Sequence, residues 1–374
     1  MDPGVARREG SAVPKPSPVI APDIAEASTL PAAVYRDPDL YRRALDGVFA
    51  RSWQFAADLD QVRVPGQVAP FTLLEGSLDE PLLLARDPQD RLHCLSNVCT
   101  HRGMLVCEAP GVVPALRCRY HGRRFAHDGR FVSMPEFDGV EGFPSPADDL
   151  PRVACATWGR FVFVSLDPEV PFATLFAEID RRVGFLPLDR MVLDPSRSRD
   201  YLVRAHWALY CDNYLEEFHI PYVHAGLSGV LDYDQYRTEL FPLANLQLGI
   251  ARGDADTFDL PSSSPDHGEA VAAFYFWVFP NLMLNVYPWG ISVNVVQPLG
   301  VERTRVRFLS YVWDEGRLDR GAGASLDRVE REDEAVVESV QRGIRSRLYH
   351  RGRYSPRREA GVHHFHRLLA ERLA

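Results

Sequence analysis

Two short segments of the chain each place a cysteine close to a histidine. The pairs are Cys99-x-His101 and Cys118-x-x-His121, with sixteen residues between them. Structural zinc sites usually take their cysteines and histidines as separate pairs of like residues. One sulfur and one nitrogen from each segment instead suit a [2Fe–2S] centre in which two cysteines hold one iron and two histidines hold the other. The spacing therefore predicts an iron–sulfur cluster, with structural zinc as the alternative.

A second group of ionisable side chains lies in residues 206–224, HWALYCDNYLEEFHIPYVH. Helical spacing places Asp212, Glu216 and His219 on one polar stripe, at steps of four and three. The separate apolar stripe at helical spacing comprises Trp207, Tyr210, Tyr214 and Phe218. The segment predicts an amphipathic helix with carboxylates and a histidine on one face, and a solvated acidic helix is the simpler interpretation.

Two histidines near the end of this helix could share one metal ion. Pro221 should end the helix just after His219, because a proline ring cannot continue the hydrogen-bonding pattern of a helix. His224 then comes from the following turn, close to His219.

A distal helix supplies a carboxylate to complete this site. Within SLDRVEREDEAVVESVQRGIRSRLY, the apolar stripe comprises Val329, Val336, Val340 and Ile344. Asp333 lies inside that stripe, where a carboxylate is costly unless it is paired or bound to a metal. A salt bridge would satisfy it, but with His219 and His224 it forms the two-histidine, one-carboxylate set of non-haem Fe(II) oxygenases. Such a set leaves coordination positions open for O₂ and substrate.

The surrounding elements fall into a β-rich region and a mixed region. Asp37 and Pro38 predict the cap and first turn of a helix that runs to about residue 53. Short β-rich runs separated by Gly, Pro and Asp predict a small antiparallel domain from about 54 to 167. The later segments comprise a helix at 171–186, a strand at 199–207, a long β stretch at 271–313 and a helix at about 326–347.

Composition excludes several classes of protein. The chain has 374 residues and a formal net charge of −9, which argues against a nucleic-acid-binding surface. No apolar run is long enough to span a membrane, and neither a phosphate-binding loop nor a dinucleotide fingerprint occurs. Its 6 cysteines and the absence of a signal peptide favour a reduced cytoplasm over a disulfide scaffold.

The motifs C-x-H-R-G, C-x-Y-H-G and D-N-Y-L-E-E-F-H-x₄-H together resemble the α subunits of Rieske non-haem iron ring-hydroxylating oxygenases, from about Leu30 to the C-terminus. Within that family, DNYLEEFHIPYVHAGL and the C-terminal segment are similar to the branch of choline and carnitine monooxygenases. One departure is that many Rieske domains continue HGW, whereas this chain has Arg123 at that position.

The resemblance implies an α+β fold: a small all-β Rieske domain and a catalytic domain whose antiparallel sheet wraps around a helix. We expect a disordered tail at 1–29, a helix at 30–50 packed on the catalytic domain, the Rieske domain at 51–167 and the catalytic domain at 168–374. Cys99, His101, Cys118 and His121 would hold the cluster. His219, His224 and Asp333 would hold the iron.

The family also implies partners. In a ring of three α subunits, the cluster of one subunit serves the iron of its neighbour through an acidic residue. Glu216, three positions before His219, is the expected bridge, and Asp212 is the competing candidate. Electrons would come from a separate reductase or ferredoxin, so that NAD(P)H is used indirectly.

The substrate is less constrained by the sequence. The run FYFWVFPNLMLNVYPWG is rich in aromatic residues, and Tyr275, Trp277 or Trp289 could line a pocket rather than only fill the sheet core. Aromatic walls suit a methylated ammonium through cation–π attraction, and they also suit a flat aromatic substrate. We therefore expect mono-oxygenation or N-demethylation of a methylated amine, with aromatic-ring hydroxylation or dioxygenation as the alternative.

Two further classes stay open at this stage. An electron-transfer protein would need only the Rieske half, and a zinc-stabilised binding module would lack sulfide. The C-terminal histidines His363, His364 and His366 could form another metal site, although an exposed or interface segment explains them more simply.

Overall fold

The computed structural model describes residues 18–224, 232–253, 255–323 and 326–374. The N-terminal part of this chain is a small antiparallel β domain, as the sequence predicts. Its strands are β1 (Gln54–Asp58), β2 (Gln67–Leu73), β3 (Glu80–Arg86), β4 (Leu92–Ser96), β5 (Gly111–Val112), β6 (Leu116–Arg117), β7 (Arg124–Phe125), β8 (Phe131–Ser133), β9 (Arg152–Trp158) and β10 (Phe161–Ser165). Seven of them form a sheet in the order β1-β10-β9-β4-β3-β2-β5, and β6-β7-β8 form a separate small sheet.

The C-terminal part contains a larger antiparallel sheet. Its strands are β11 (Val192–Leu193), β12 (Arg199–Val203), β13 (Arg237–Phe241), β14 (Ala244–Ile250), β15 (Val271–Val278), β16 (Leu282–Tyr287), β17 (Gly290–Gly300) and β18 (Arg303–Val312). The order is β11-β18-β17-β16-β15-β14-β13, and β12 also pairs with β18. The central strands β15 and β16 are buried along their whole length, so their aromatic residues face either the core or an enclosed cavity.

The helices are α1 (Pro38–Ala44), α2 (Phe172–Val183), α3 (Trp207–Tyr214), α4 (Ile220–Val223), α5 (Leu326–Gly343) and α6 (Ala360–Arg372). The predicted cap of α1 is confirmed, since the Asp37 carboxylate accepts a hydrogen bond from the Asp39 amide at 2.9 Å. A π-helical turn, Leu45–Phe49, continues α1 and brings Phe49 edge-on to Trp207 of α3, with ring centroids 4.8 Å apart. Helix α3 is thereby enclosed by the α1 region and the large sheet. No helix in the part of the chain described above is long and apolar enough to cross a membrane.

The helix expected at 206–219 is shorter than predicted. Helix α3 ends at Tyr214, and the side-chain amide of Gln247 donates to the Tyr214 carbonyl (2.7 Å), one of the carbonyls that the end of a helix leaves without an intrahelical partner. Pro221 then lies in the first turn of α4, where its missing amide costs nothing, instead of ending the helix. Glu216 consequently sits in the connection between two helices, and Phe218 is exposed, contrary to the predicted apolar stripe.

The buried face of α5 is also rotated from the prediction. Val337 is buried, whereas Val340 is exposed, and the helix ends at Gly343 rather than near residue 347. Asp333 lies one turn before Val337 and is itself buried, so the expectation that matters for the site is correct.

Ordered chain begins before residue 30, so the predicted limit of the tail is wrong. Ile20 and Ala27 are buried, and the Thr29 amide donates to the Gly352 carbonyl at 3.1 Å. The C-terminal segment thus supplies hydrogen-bond partners that the N-terminal sequence alone does not reveal. Residues 1–17 of the predicted tail lie outside the described residues.

A buried ion pair ties β1 to the turn before β10. Arg160 binds Asp58 in a bidentate contact, at 2.8 and 2.9 Å, and also reaches Asp60 at 2.5 Å. Replacing Arg160 with Met would leave Asp58 buried without its counter-charge. We expect the free energy of unfolding to fall by about 3–5 kcal/mol, measured by denaturant titration of the purified protein.

The matched control is Arg42→Met, which removes an exposed pair with Asp39 on α1. Such pairs contribute below about 1 kcal/mol, so this variant should unfold close to the wild type. Equal losses in the two variants would contradict the assignment of the Arg160 pair as a buried constraint.

Candidate metal centres and substrate cavity

Two loops with the same backbone geometry carry the predicted cluster residues. In the first loop, the Gly103 amide donates to the Cys99 carbonyl at 2.9 Å. In the second, the Gly122 amide donates to the Cys118 carbonyl at 3.1 Å. Gly103 and Gly122 have φ angles of +73° and +77°, a conformation that glycine adopts without a steric penalty. The two loops thus turn in the same way and face each other.

The side chains of these loops form a sulfur pair inside and a nitrogen pair at the surface. Cys99 and Cys118 are buried, and the pKa of the Cys99 thiol is raised by burial and by the adjacent Cys118 thiol. His101 and His121 approach each other with their Nδ1 atoms 3.1 Å apart. The structure brings all four predicted residues together, and two sulfurs beneath two ring nitrogens fit a cluster with one iron on each side.

A third segment joins the two loops through one residue. The Asp148 carbonyl accepts hydrogen bonds from the Thr100 hydroxyl (2.8 Å) and from the Arg123 guanidinium (3.1 Å). Arg123 also binds the Asp148 carboxylate at 2.6 Å and is itself buried. The arginine that departs from the usual HGW motif therefore fastens the second loop to the first. Its guanidinium carbon lies 5.0 Å from the centroid of the Phe131 ring.

The second predicted centre is also assembled. The Nε2 atoms of His219 and His224 lie 3.1 Å apart, and Asp333 Oδ1 lies 3.0 Å from the Nε2 atom of His224 and 3.5 Å from that of His219. Ligand atoms of all three residues fall within 4.8 Å of one another. Three donors on one side of a shared space match the facial arrangement that leaves positions open on a metal.

A carboxylate contacts the Nδ1 atom of each imidazole ring, on the side away from the shared space. Glu216 Oε1 lies 2.6 Å from His219 Nδ1, and its other oxygen accepts the His219 backbone amide at 3.0 Å. Glu332 Oε2 lies 2.8 Å from His224 Nδ1. These contacts orient both rings so that Nε2 faces the shared space, which is the usual support for a metal-binding histidine. Glu332 was missed in the sequence, although its place directly before Asp333 was a usable signal.

The charge around His224 favours a cation. Burial lowers the pKa of His224, but the carboxylates of Asp333 and Glu332 outweigh burial and raise it to about 9. The same negative field would attract a metal ion in place of the proton. The donor set therefore fits a divalent metal in both geometry and charge.

The competing bridge candidate, Asp212, faces a different group. Its carboxylate lies 2.8 Å from His366 Nε2 and accepts the Tyr35 hydroxyl at 2.8 Å. His363 instead donates to the Ala21 carbonyl at 2.8 Å. The C-terminal histidines are thus used separately in packing, and the structure does not gather them into the metal site that the sequence left open.

A cavity of about 90 Å³ adjoins the histidine–carboxylate set. Tyr275 lines it, as the sequence suggested, but Trp277 packs against Phe365 in the core and Trp289 lines a neighbouring cavity. The tyrosines in its wall are Tyr210, Tyr214, Tyr236, Tyr275 and Tyr287. The cavity wall is therefore aromatic but also carries hydroxyl groups.

One further acidic residue in this wall escaped the sequence analysis. Glu330 is buried, lies one helical turn before Asp333 on α5, and accepts the Tyr210 hydroxyl at 2.7 Å. Burial and the nearby Asp333 carboxylate raise the pKa of Glu330 to about 8. Its position three residues before Asp333, on the same face of the helix, is the sequence feature that could have identified it.

Comparison with known families agrees with both centres. Residues 52–144 match the Rieske [2Fe-2S] domain, and residues 188–374 match the catalytic domain of the ring-hydroxylating α subunit. The chain is 32% identical over 366 residues to the chloroplastic choline monooxygenase of Arabidopsis thaliana, covering 93% of this chain and 83% of the relative. It is 29% identical over 363 residues to the carnitine monooxygenase oxygenase subunit of Escherichia coli K12, covering 92% and 94%.

Solved structures share the fold. The quaternary ammonium Rieske monooxygenase CntA superimposes with a TM-score of 0.75 at 24% identity, covering 94% of this chain and 97% of that one. Naphthalene 1,2-dioxygenase from Rhodococcus sp. gives a TM-score of 0.66 at 18% identity, covering 92% and 93%. The predicted fold class and cofactors, a Rieske cluster and a mononuclear iron, are confirmed. The chain belongs to the family of Rieske non-haem iron ring-hydroxylating oxygenases, as a catalytic α subunit.

Proposed function

We propose that this chain is the oxygenase component of an enzyme that hydroxylates an N-methyl group of a methylated or quaternary amine. The observation that carries the proposal is that the His219, His224 and Asp333 donors open directly onto a tyrosine-walled cavity. Tyrosine faces attract ammonium groups by cation–π interaction. The relatives described as choline and carnitine monooxygenases support the same class of substrate.

A second candidate is hydroxylation of a flat aromatic ring. The same tyrosine walls would contact such a ring, and naphthalene 1,2-dioxygenase shares the fold. A Rieske protein that only transfers electrons is disfavoured by the assembled histidine–carboxylate set, which such a protein would not need.

We assign the cluster to Cys99, His101, Cys118 and His121, and the iron to His219, His224 and Asp333. When bound, these groups supply single electrons and reductive activation of O₂, so that one oxygen atom enters a C–H bond and the other leaves as water. Hydroxylation of an N-methyl carbon would yield the demethylated amine and formaldehyde. Domain limits of 51–167 and 168–374 stay part of the proposal, as does packing of the 30–50 segment on the latter; within that segment the helix itself covers only Pro38–Ala44 and the π-helical turn to Phe49.

The residues around the iron set orient and connect the site. Glu216 holds the Nδ1 side of His219 and therefore keeps Nε2 directed at the cavity. The Glu216 side chain also lines a second cavity of about 230 Å³, called the outer cavity because exposed residues such as Tyr349 line it, together with Asp212. A carboxylate between two cavities is well placed to connect the iron site with a donor on the outer side, so we favour Glu216 over Asp212 as the bridge.

The outer cavity supports a homotrimer in which a neighbour's cluster docks there. Val340 and Tyr349 line this cavity and are exposed in the single chain, which leaves apolar surface for a partner. Inter-subunit electron transfer is named for the CntA structure. A separate reductase or ferredoxin would supply electrons from NAD(P)H. Cytoplasmic location stays a prediction, and the plant relatives are described as chloroplastic.

The first test is metal content and product formation on protein purified without oxygen. We expect about three iron atoms and about two acid-labile sulfide ions per chain. Supplied with a reductase, O₂ and choline or carnitine, the enzyme should consume amine and O₂ together. Oxidation of naphthalene or an aromatic acid but of no methylated amine would favour the second candidate, and zinc without sulfide would contradict the cofactor assignment.

Replacing Asp333 with Ala removes one of the three iron donors and leaves the cluster loops untouched. We expect loss of about one iron per chain and of hydroxylation, with an unchanged visible spectrum of the cluster. Glu334→Gln on the same helix is the control and should retain its iron. Full iron content in Asp333→Ala would mean that another carboxylate is the ligand.

Replacing Glu216 with Gln keeps the shape of the side chain and removes its charge. We expect both metals to remain bound, while cluster oxidation in a single turnover slows by about a hundredfold or more, because the bridge to the outer side is weakened. Stopped-flow absorbance after mixing reduced enzyme with substrate and O₂ measures this rate. If cluster oxidation were slow in Asp212→Asn but normal in Glu216→Gln, Asp212 rather than Glu216 would be the bridge between the two metal sites.

A further inference from the structure

Glu330 is a buried carboxyl group that lines the cavity beside the iron set, and only one of its oxygens has a hydrogen-bond partner. One oxygen accepts the Tyr210 hydroxyl at 2.7 Å. Within the described chain, no other group donates a hydrogen bond to Glu330. A buried carboxylate is costly unless it meets a donor or a positive charge. Glu330 also lines the neighbouring cavity, whose arginines Arg197, Arg199 and Arg328 bond to other groups. The second oxygen therefore has no protein partner among the described residues and could accept a group that enters the cavity.

The charges of the cavity wall do not balance within the protein. Three carboxylates line the cavity, those of Glu216, Glu330 and Asp333, whereas no lysine or arginine appears among the described lining residues. A ferrous ion would offset two negative charges. One carboxyl group then remains without a counter-charge, and Glu330 is the lining residue that neither binds a histidine ring nor belongs to the iron set. Its raised pKa reflects burial and the neighbouring Asp333 carboxylate, and an entering cation would supply the counter-charge that favours its ionised form.

Tyrosine rings surround the same space. Tyr275 meets Tyr287 edge-on, with centroids 6.0 Å apart, and Tyr236 stacks on Tyr275 at 6.4 Å. Ring faces attract a cation electrostatically, and the attraction strengthens when the cation is desolvated. A carboxylate and several aromatic faces in one enclosed cavity form a site that distinguishes a positively charged group from a neutral group of equal size.

We propose that Glu330 is the specificity-determining residue that selects a cationic substrate and positions its ammonium group. Because Glu330 and Asp333 are three residues apart on α5, their Cβ atoms lie about 5–6 Å apart. An ammonium group held at Glu330 therefore directs one of its methyl carbons toward the iron set. The inference rests on the proposed function. Aromatic walls alone would bind flat neutral substrates as well as cations, and the inference assigns the selection of the cation to Glu330.

A binding comparison with two probes of equal shape tests this role. The probes are choline and its neutral carbon analogue, in which a tert-butyl group replaces the trimethylammonium group. Calorimetry on the iron-loaded enzyme gives both dissociation constants without requiring turnover. We expect Glu330→Gln to weaken choline binding by about ten- to hundredfold and to change binding of the neutral analogue by less than about threefold. Glu330→Asp, which keeps the charge, should recover most of the preference for choline.

Glu334→Gln is the matched control, since it removes a carboxylate one turn further along α5 that does not line the cavity. It should bind choline within about twofold of the wild type. Three results would each overturn the inference. Glu330→Gln could keep the wild-type preference for choline over the neutral analogue, Glu334→Gln could lose as much choline affinity as Glu330→Gln, or the wild type could show no preference for choline.

Turnover separates this inference from the proposed function. An enzyme that binds choline through Glu330 but oxidises no methylated amine would uphold the cation site and refute the proposed reaction. An enzyme that demethylates amines with equal kcat/KM in the wild type and Glu330→Gln would uphold the reaction and refute the role of Glu330.

Discussion

The contacts of the Glu216 carboxylate with His219 are the interaction on which the proposed iron site depends. Helix α3 ends at Tyr214, before Glu216, and the side-chain amide of Gln247 binds the Tyr214 carbonyl at that end. The chain is then free to turn, so that the Glu216 carboxylate reaches both the backbone amide and the ring of His219. A continuous helix would leave the same residues on a rod, where one carboxylate could not hold both donors of His219.

The electrostatics of the centre follow from this arrangement. Each iron-directed histidine has a carboxylate behind it, and the cavity in front contains two more, from Glu330 and Asp333. So many acidic groups are stable together only because hydrogen-bond donors and bound cations neutralise them. The folded protein thus gathers acidic groups at the place where a metal and a positively charged molecule can meet.

The residues proposed to bind metal could be identified in the sequence because their spacing is local or their environment is unusual. The paired Cys–His loops and the His219/His224 segment are short motifs. Asp333 is recognisable in the sequence because it is an acidic residue within an apolar stripe. What could not be predicted depends on distant partners. The Tyr214 carbonyl at the end of α3 meets Gln247 from β14, and the Thr29 amide meets Gly352 of the C-terminal segment. Nothing in the sequence distinguishes Glu330 from an exposed helical glutamate, because its burial depends on the cavity beside it.

The contact between Thr29 and Gly352 joins segments near the two ends of the described chain, and it encloses both the Rieske domain and most of the catalytic domain in one loop of the chain. From there the connection continues inward: the Leu30 amide reaches His366 on α6, and His366 meets Asp212 on α3. Thr29 and Leu30 therefore hold the N-terminal segment of the described chain against the C-terminal segment of the catalytic domain. Trimming them would not simply shorten the protein, because the order of α6 and the placement of α3 depend on the same chain of hydrogen bonds.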